Sequence, residues 1–229
     1  MEDKKPIVVV AGATGRAGRL IVDELLKRGL PVRAMIVRPF DPPKPPVLDR
    51  EGIEIVEGSL ESPEMLDNVM NGADYVISAI GSTKMFSKAT FEKIDVQGNK
   101  ALALAAKKNG VKQIIIISTV GAGNSKYAMT TIYRWMMVQI IAAKTKMEEI
   151  VKGIGIDYTF IRPGGYTEKE VSGGIAIGEG GKISGLVRRD QVAAICVDAV
   201  EKPAMKNRTF EVCAKAKLKK DREQFLIEI

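Results

Sequence analysis

The chain has 229 residues, 45% of them apolar, which fits one domain of the larger kind with a sizeable buried core. It contains no histidine, so His-based triads, His-ligated metals and a histidine general base are excluded, and no metal site is expected. The net charge of +7 is spread along the chain and alternates with acids, so most cations read as solvated faces.

The first apolar run, a strand over 6–11, leads directly into Gly-Ala-Thr-Gly-Arg-Ala-Gly at 12–18 and then into an amphipathic helix over 16–28. Three glycines spaced three apart at that junction form a nucleotide fingerprint. Gly12 permits the tight turn, Gly15 lets a diphosphate approach the backbone, and Gly18 lets the helix pack close to the sheet. The unpaired amides at the helix start then favour negative charge, which makes Gly12, Ala13, Thr14, Gly15, Arg16, Ala17 and Gly18 the first cofactor-binding segment.

A second strand, 31–37, ends in Ile36-Val37-Arg38. Sites that prefer NAD place an acid there to hold the ribose 2′-hydroxyl. Arg38, with Arg16, instead offers a donor fork suited to a 2′-phosphate, so NADP is expected over NAD. The stretch from Arg38 to Pro46 holds five of the ten prolines and reads as a stiffened excursion beside the adenosine end. Strands over 53–56, 74–79, 112–118, 156–161 and 207–213 alternate with helices over 62–70, 88–109, 131–152 and 188–201, and Asn109-Gly110 and Gly153 read as helix stops. The alternation predicts an α/β chain with a doubly wound parallel sheet. Between Gly164 and Gly185 lie eight glycines, a composition that fits either a mobile cover over a ligand cleft or a plain surface loop.

Later segments serve as buried elements or surface. Cys196 and Cys213 lack metal-like spacing and read as buried small side chains. Trp135, Met136 and Met137 either pack in a helix or line a pocket or partner surface. The densest basic run, Lys215 to Arg222, lies in the tail without the aromatic pattern of an RNA-binding surface, and no nucleic-acid partner is expected. No signal peptide and no run of transmembrane length is seen, so a cytoplasmic protein without a membrane span is expected.

Taken together, Gly-Ala-Thr-Gly-Arg-Ala-Gly at 12–18, Ser-Ala-Ile-Gly-Ser at 78–82, Ile-Ile-Ile-Ile-Ser-Thr at 114–119, Lys144 with Glu148, Asp-Tyr-Thr-Phe-Ile-Arg-Pro-Gly-Gly at 157–165, and Ile-Ser…Arg-Asp-Gln-Val-Ala at 183–193 resemble the atypical short-chain dehydrogenase/reductases. The resemblance is to their NAD(P)-binding, NmrA-like group, which includes biliverdin IXβ/flavin reductases and chloroplast relatives. It implies a single Rossmann-type domain over 1–229 with a small substrate or lid portion from about 164. It also implies that the adenine lies near Gly58, Ser59 and Leu60, with Ser59 standing where relatives carry an aspartate. The turn of Ala79, Ile80 and Gly81 would pass beneath the adenine ribose, and Pro163 and Gly164 would back the nicotinamide.

In standard members a serine and a Tyr-x-x-x-Lys helix perform the acid–base work. Ser118 stands in the serine place and Lys144 in the lysine place, which makes them the candidate catalytic pair, with Lys144 also a ribose contact. A solvated Lys144 paired with Glu148 is the alternative. Four residues before Lys144 lies Ile140, and no tyrosine has a lysine at plus four. Reduction of an isolated ketone needs a well-placed acid, whereas a conjugated flavin, quinone or bilin delocalises the incoming charge. The expected function is therefore an NADPH-dependent reductase of a planar electron acceptor. The alternative is a non-catalytic NADP(H)-binding sensor or scaffold, and a weaker reading is a carbonyl enzyme that takes its acid from Tyr127, Tyr133 or Tyr166. A homodimer is left open.

Overall fold

The computed structural model describes residues 5–37, 48–81, 87–128, 135–218 and 220–228, with the side chains of residues 126 and 127 also left aside. Arg38, the proline-rich stretch, Tyr133 and the Tyr127 side chain therefore lie outside the described residues.

Apolar runs without alternation become strands buried on both faces, because helices cover both sides of a parallel sheet. The strands β1 (Val8–Ala11), β2 (Val32–Ile36), β3 (Ile53–Glu57), β4 (Tyr75–Ser78), β5 (Gln113–Ile117) and β6 (Tyr158–Pro163) fall where the sequence puts them. Two short strands, β7 (Gly165–Tyr166) and β9 (Leu186–Val187), pair with each other. The remaining two are β8 (Ile175–Gly178) and β10 (Arg208–Ala214). The main sheet has the order β3-β2-β1-β4-β5-β6-β10-β8. All its neighbours are parallel except β10 and β8, so the expected parallel sheet carries one antiparallel edge strand.

On one face, α1 (Arg16–Lys27) and α6 (Arg189–Glu201) bury Ile21, Leu25, Val192 and Cys196 against Ile115, Ile117 and Ile161. On the other, α2 (Pro63–Met70), α4 (Asn99–Lys108) and α5 (Val138–Ile154) bury Leu66, Leu102 and Met147 against Ile114, Ile116 and Phe160. The two-residue alternation of β5 thus feeds two separate cores. Among the described helices none is long and apolar enough to cross a membrane.

Three boundaries differ from the sequence reading. The helix expected over 88–109 divides into α3 (Lys88–Thr90), a π-helix (Phe91–Gly98) and α4. At that junction the Asn99 side chain donates to the Asp95 carbonyl at 2.8 Å and accepts from Ser78 Oγ at 2.6 Å, polar demands that a regular apolar-faced helix does not carry. α5 runs past Gly153 and stops at Gly155, whose φ of +74° suits glycine. The glycine-rich segment is anchored: β8 joins the main sheet, and a β-carbon on Gly164 would lie 1.8 Å from the Gly185 carbonyl oxygen. Cys196 and Cys213 are buried free thiols, as expected.

Candidate functional site

The chain leaves β1 in one direction to β2 and β3, and then crosses to β4 on the other side of β1. That reversal opens a crevice at the carboxyl ends of β1 and β4, the place where doubly wound sheets take ligands. Gly12 turns there with a φ of +83°, and a β-carbon on it would lie 3.0 Å from the carbonyl atoms of Ala79. The Gly15 amide donates to the Gly12 carbonyl at 2.9 Å, closing the loop. Gly15 then caps α1 without any side-chain bond, and the first turn holds no acid. The first-turn amides are left to an external anion, and the absence of side chains at Gly12, Gly15 and Gly18 leaves a cradle that fits a diphosphate. Ala13 and Gly18 are buried, Thr14 and Ala17 half-buried, and Arg16 is exposed beside the loop.

The expected adenine region lies on the neighbouring strand ends. The Gly58 amide donates to the Ile36 carbonyl at 2.8 Å, which sets this segment beside the end of β2. The Ser59 hydroxyl accepts from the Glu61 amide at 3.3 Å and so serves its own turn. Leu60 and Ile80 converge on Gly98, where a β-carbon would meet their Cδ1 atoms at 2.9 Å and 3.1 Å. Gly81 sits over the Asp95 carboxylate, whose Oδ1 would be 3.5 Å from a β-carbon there. Gly12, Ala79, Ile80, Gly81 and Leu60 are thereby brought together.

At the other end of the crevice, β5 and β6 end side by side. The Ser118 amide donates to the Ile161 carbonyl at 2.7 Å and the Val120 amide to the Pro163 carbonyl at 3.0 Å, which levels Ser118 with Arg162 and Thr119 with Pro163. Lys144 is brought to the same place but is 4% exposed. Its ammonium donates to the Ile117 carbonyl at 3.0 Å and pairs with Asp95 Oδ1 at 2.9 Å. The solvated lysine paired with Glu148 is thus excluded: Lys144 is buried, and Glu148 belongs to another group. Among the described residues, two of the three ammonium donors have acceptors.

Ser118 is 5% exposed, and its Oγ donates to Glu148 Oε1 at 2.6 Å. Glu148 also takes a fork from Arg162, with Nε to Oε1 at 3.0 Å and Nη2 to Oε2 at 2.6 Å. Arg162 donates onward to Glu211 at 3.0 Å and to Asn124 Oδ1 at 2.6 Å, and Glu211 accepts the Gly181 amide at 2.9 Å. Burial opposes the charge on Arg162, yet the hydrogen bonds and charges of Glu148 and Glu211 hold its pKa above the ordinary arginine value. Burial pushes the Glu211 carboxyl up, with the nearby charge of Glu148 adding to it and the Gly181 and Arg162 bonds opposing it.

Sequence reasoning missed Asp95, Arg162 and Glu211. For Arg162 and Glu211 the signal was a charged residue inside an apolar strand, Phe-Ile-Arg-Pro and Phe-Glu-Val-Cys, which a sheet covered on both faces accepts only with a partner; Asp95, in the π-helix, gave no such signal. Tyr166 is 37% exposed on β7 and lies under the Arg189 guanidinium, whose Cζ is 4.3 Å from its ring centroid. Trp135, Met136 and Val138 are 79%, 54% and 55% exposed, so ordinary helix packing does not account for them.

Residues 12–203 match the family described as NAD(P)H-binding. The chain is 32% identical over 224 residues to an uncharacterised chloroplast protein of Arabidopsis thaliana, covering 93% of this chain and 78% of that one. It is 27% identical over 215 residues to the NAD(P)H azoreductase of Xenophilus azovorans, covering 90% and 67%. The fold superposes with a TM-score of 0.76 on the anaerobillin reductase ChuY of Escherichia coli O157:H7, at 20% identity and 91% and 97% coverage.

Proposed function

We propose, from the premise that this chain belongs to the NAD(P)H-binding family, that it is an NADPH-dependent reductase of a planar conjugated acceptor. The observation that carries this reading is the fate of the usual acid–base group: Ile140 stands where a tyrosine is needed, and Ser118 and Lys144 are engaged with buried partners. A carbonyl that becomes an isolated alkoxide finds no acid among them. When bound, NADPH supplies the hydride. The glycine loop then holds the diphosphate, Lys144 serves the ribose, and the Pro163-Gly164 turn backs the ring on which an acceptor stacks. An azo, quinone, flavin or bilin acceptor delocalises the charge and takes its proton from water. The azoreductase relative and the bilin-reducing structural neighbour support this class of acceptor.

Specificity for NADPH over NADH rests on Arg38 with Arg16. Arg38→Glu is expected to reverse the NADPH-to-NADH preference in kcat/KM; an unchanged preference assigns the 2′-phosphate to other residues. The function itself is checked by following the loss of NADPH absorbance with menadione, FMN, biliverdin and methyl red. Oxidation with at least one is expected, and none with any overturns the proposal. A non-catalytic NADP(H) sensor is the second reading, favoured by the same burial of Ser118 and Lys144. It predicts tight nucleotide binding without oxidation.

A further inference from the structure

The segment after β10 folds back over the glycine-rich stretch. Its first amide, that of Lys215, donates to the Gly174 carbonyl at 2.9 Å. Further on, the Ile227 amide donates to the Ile177 carbonyl at 2.9 Å, and Leu226 is bridged antiparallel to Gly178. The outer edge of β8 is thereby paired. Leu218, Phe225 and Leu226, each half-buried, pack on a small core of their own with Ala176, Ile183 and Cys213. Ile183 is fully buried there. Two contacts at Lys182 fasten the segment further: its carbonyl accepts from Arg222 at 3.2 Å, and its ammonium lies 5.7 Å from the Phe225 ring centroid.

Covering a sheet edge does not account for one more contact. A β-carbon on Gly185 would lie 2.8 Å from the Lys217 carbonyl oxygen, and one on Gly164 would lie 1.8 Å from the Gly185 carbonyl oxygen. Three backbone segments therefore touch in the order Gly164, Gly185, Lys217, at two positions with no room for a side chain. Gly164 is also tied to β10, its amide donating to the Val212 carbonyl at 3.1 Å. We propose that the segment after β10 is a positioning strap for the nicotinamide half of the cofactor: it holds Ile183 and Gly185 in place behind Gly164 and so fixes the wall on which the ring rests. This rests on the reading that the Pro163-Gly164 turn backs the nicotinamide. The adenine and diphosphate readings fall at the ends of β1 to β4, whereas β10 and β8 close the opposite side of the sheet. The strap thus acts on one half of the cofactor only.

The test compares full-length wild type with the double variant Phe225→Ala/Leu226→Ala, with Phe225→Ala, with Phe225→Leu and with Val151→Ala, a cut in the core on the other face of the sheet. Calorimetric titration gives each protein's affinity for NADPH and for 2′-phospho-ADP-ribose, which lacks the nicotinamide, and thermal unfolding gives Tm. In the double variant NADPH affinity is expected to fall about tenfold, while affinity for 2′-phospho-ADP-ribose changes by less than about twofold. Phe225→Ala is expected to show the same split to a smaller extent, and it carries the test if the double variant does not fold. Phe225→Leu keeps most of the apolar volume and is expected to recover most of the NADPH affinity. Val151→Ala is expected to lower Tm with the ratio of the two affinities at the wild-type value. A parallel fall for both ligands in the Phe225 variants, or no fall for either, overturns the inference and leaves the segment a purely structural one. A wild type that binds NADPH no more tightly than 2′-phospho-ADP-ribose overturns the placing of the nicotinamide on Gly164, and the strap with it. A wild type that binds NADPH with the expected split but reduces no acceptor overturns the reductase reading and leaves the strap in place.

Discussion

A β-carbon on Gly18 would lie 2.0 Å from the Gly12 carbonyl oxygen and 2.9 Å from the Ala13 α-carbon, both backbone positions that no side-chain rotation can relieve. Gly18→Ala therefore has to displace the loop from the start of α1. Overpacking of this kind costs about 1–3 kcal/mol. Because the displaced backbone is the phosphate cradle, NADPH affinity is expected to fall by at least tenfold alongside Tm. Fluorescence titration and thermal unfolding check the two effects separately, and unaltered affinity would show that the diphosphate does not use this loop. These glycines were legible in the sequence because each solves a steric problem that a single residue type solves. The partner of Ser118 was not legible for the opposite reason: a serine at a strand end is compatible with facing either way, and its hydroxyl bonds Glu148, thirty residues on.

At the scale of elements, the π-helix lies where four buried polar side chains, Ser78, Asp95, Asn99 and Lys144, must be satisfied between β4, β5 and α5. Asn99 links Ser78 to the Asp95 backbone, and the Asp95 carboxylate meets Lys144, which also holds the Ile117 carbonyl. The strands and long helices were legible because their apolar periodicity is local. The π-helix was not, since its departure from regular geometry answers to Ser78 and Lys144 on other elements. Nor was β8, where Gly178 and the surrounding glycines hide a four-residue strand whose pairing depends on β10. Removing one partner of the buried Asp95–Lys144 pair leaves a charge without its counter-ion, at a cost of about 3–5 kcal/mol. Asp95→Leu and Lys144→Met are each expected to destabilise strongly, and the double variant to be more stable than either single one. Urea unfolding of the four proteins measures this, and strict additivity would show that the two groups do not interact energetically.

Across the whole molecule, one buried charge group joins the segment after β5, α5, β6, the glycine-rich segment and β10, through Ser118, Asn124, Glu148, Arg162, Gly181 and Glu211. It clamps the two walls of the expected acceptor end to the sheet, and it contains two carboxylates for one guanidinium. The surplus acid has a thermodynamic signature. Burial raises the Glu211 pKa above its ordinary value of 4.5, so between that value and the raised native one the folded state binds more protons than the unfolded state. Stability contributed by Glu211 is then fully present below 4.5, falls as pH rises through the native pKa, and is constant above it. Asp157 and Asp190, whose pKa values are lowered by hydrogen bonds from Asn207 and Arg188, give the opposite slope, but they do so equally in wild type and variant. Glu211→Gln keeps an acceptor for Arg162 and removes the titration. The stability difference, wild type minus Glu211→Gln, is therefore expected to decline as pH rises above 4.5 in urea unfolding at each pH. A difference that is flat or rises with pH would mean that Glu211 is held ionised by Arg162 throughout, and that the group carries its second negative charge without cost.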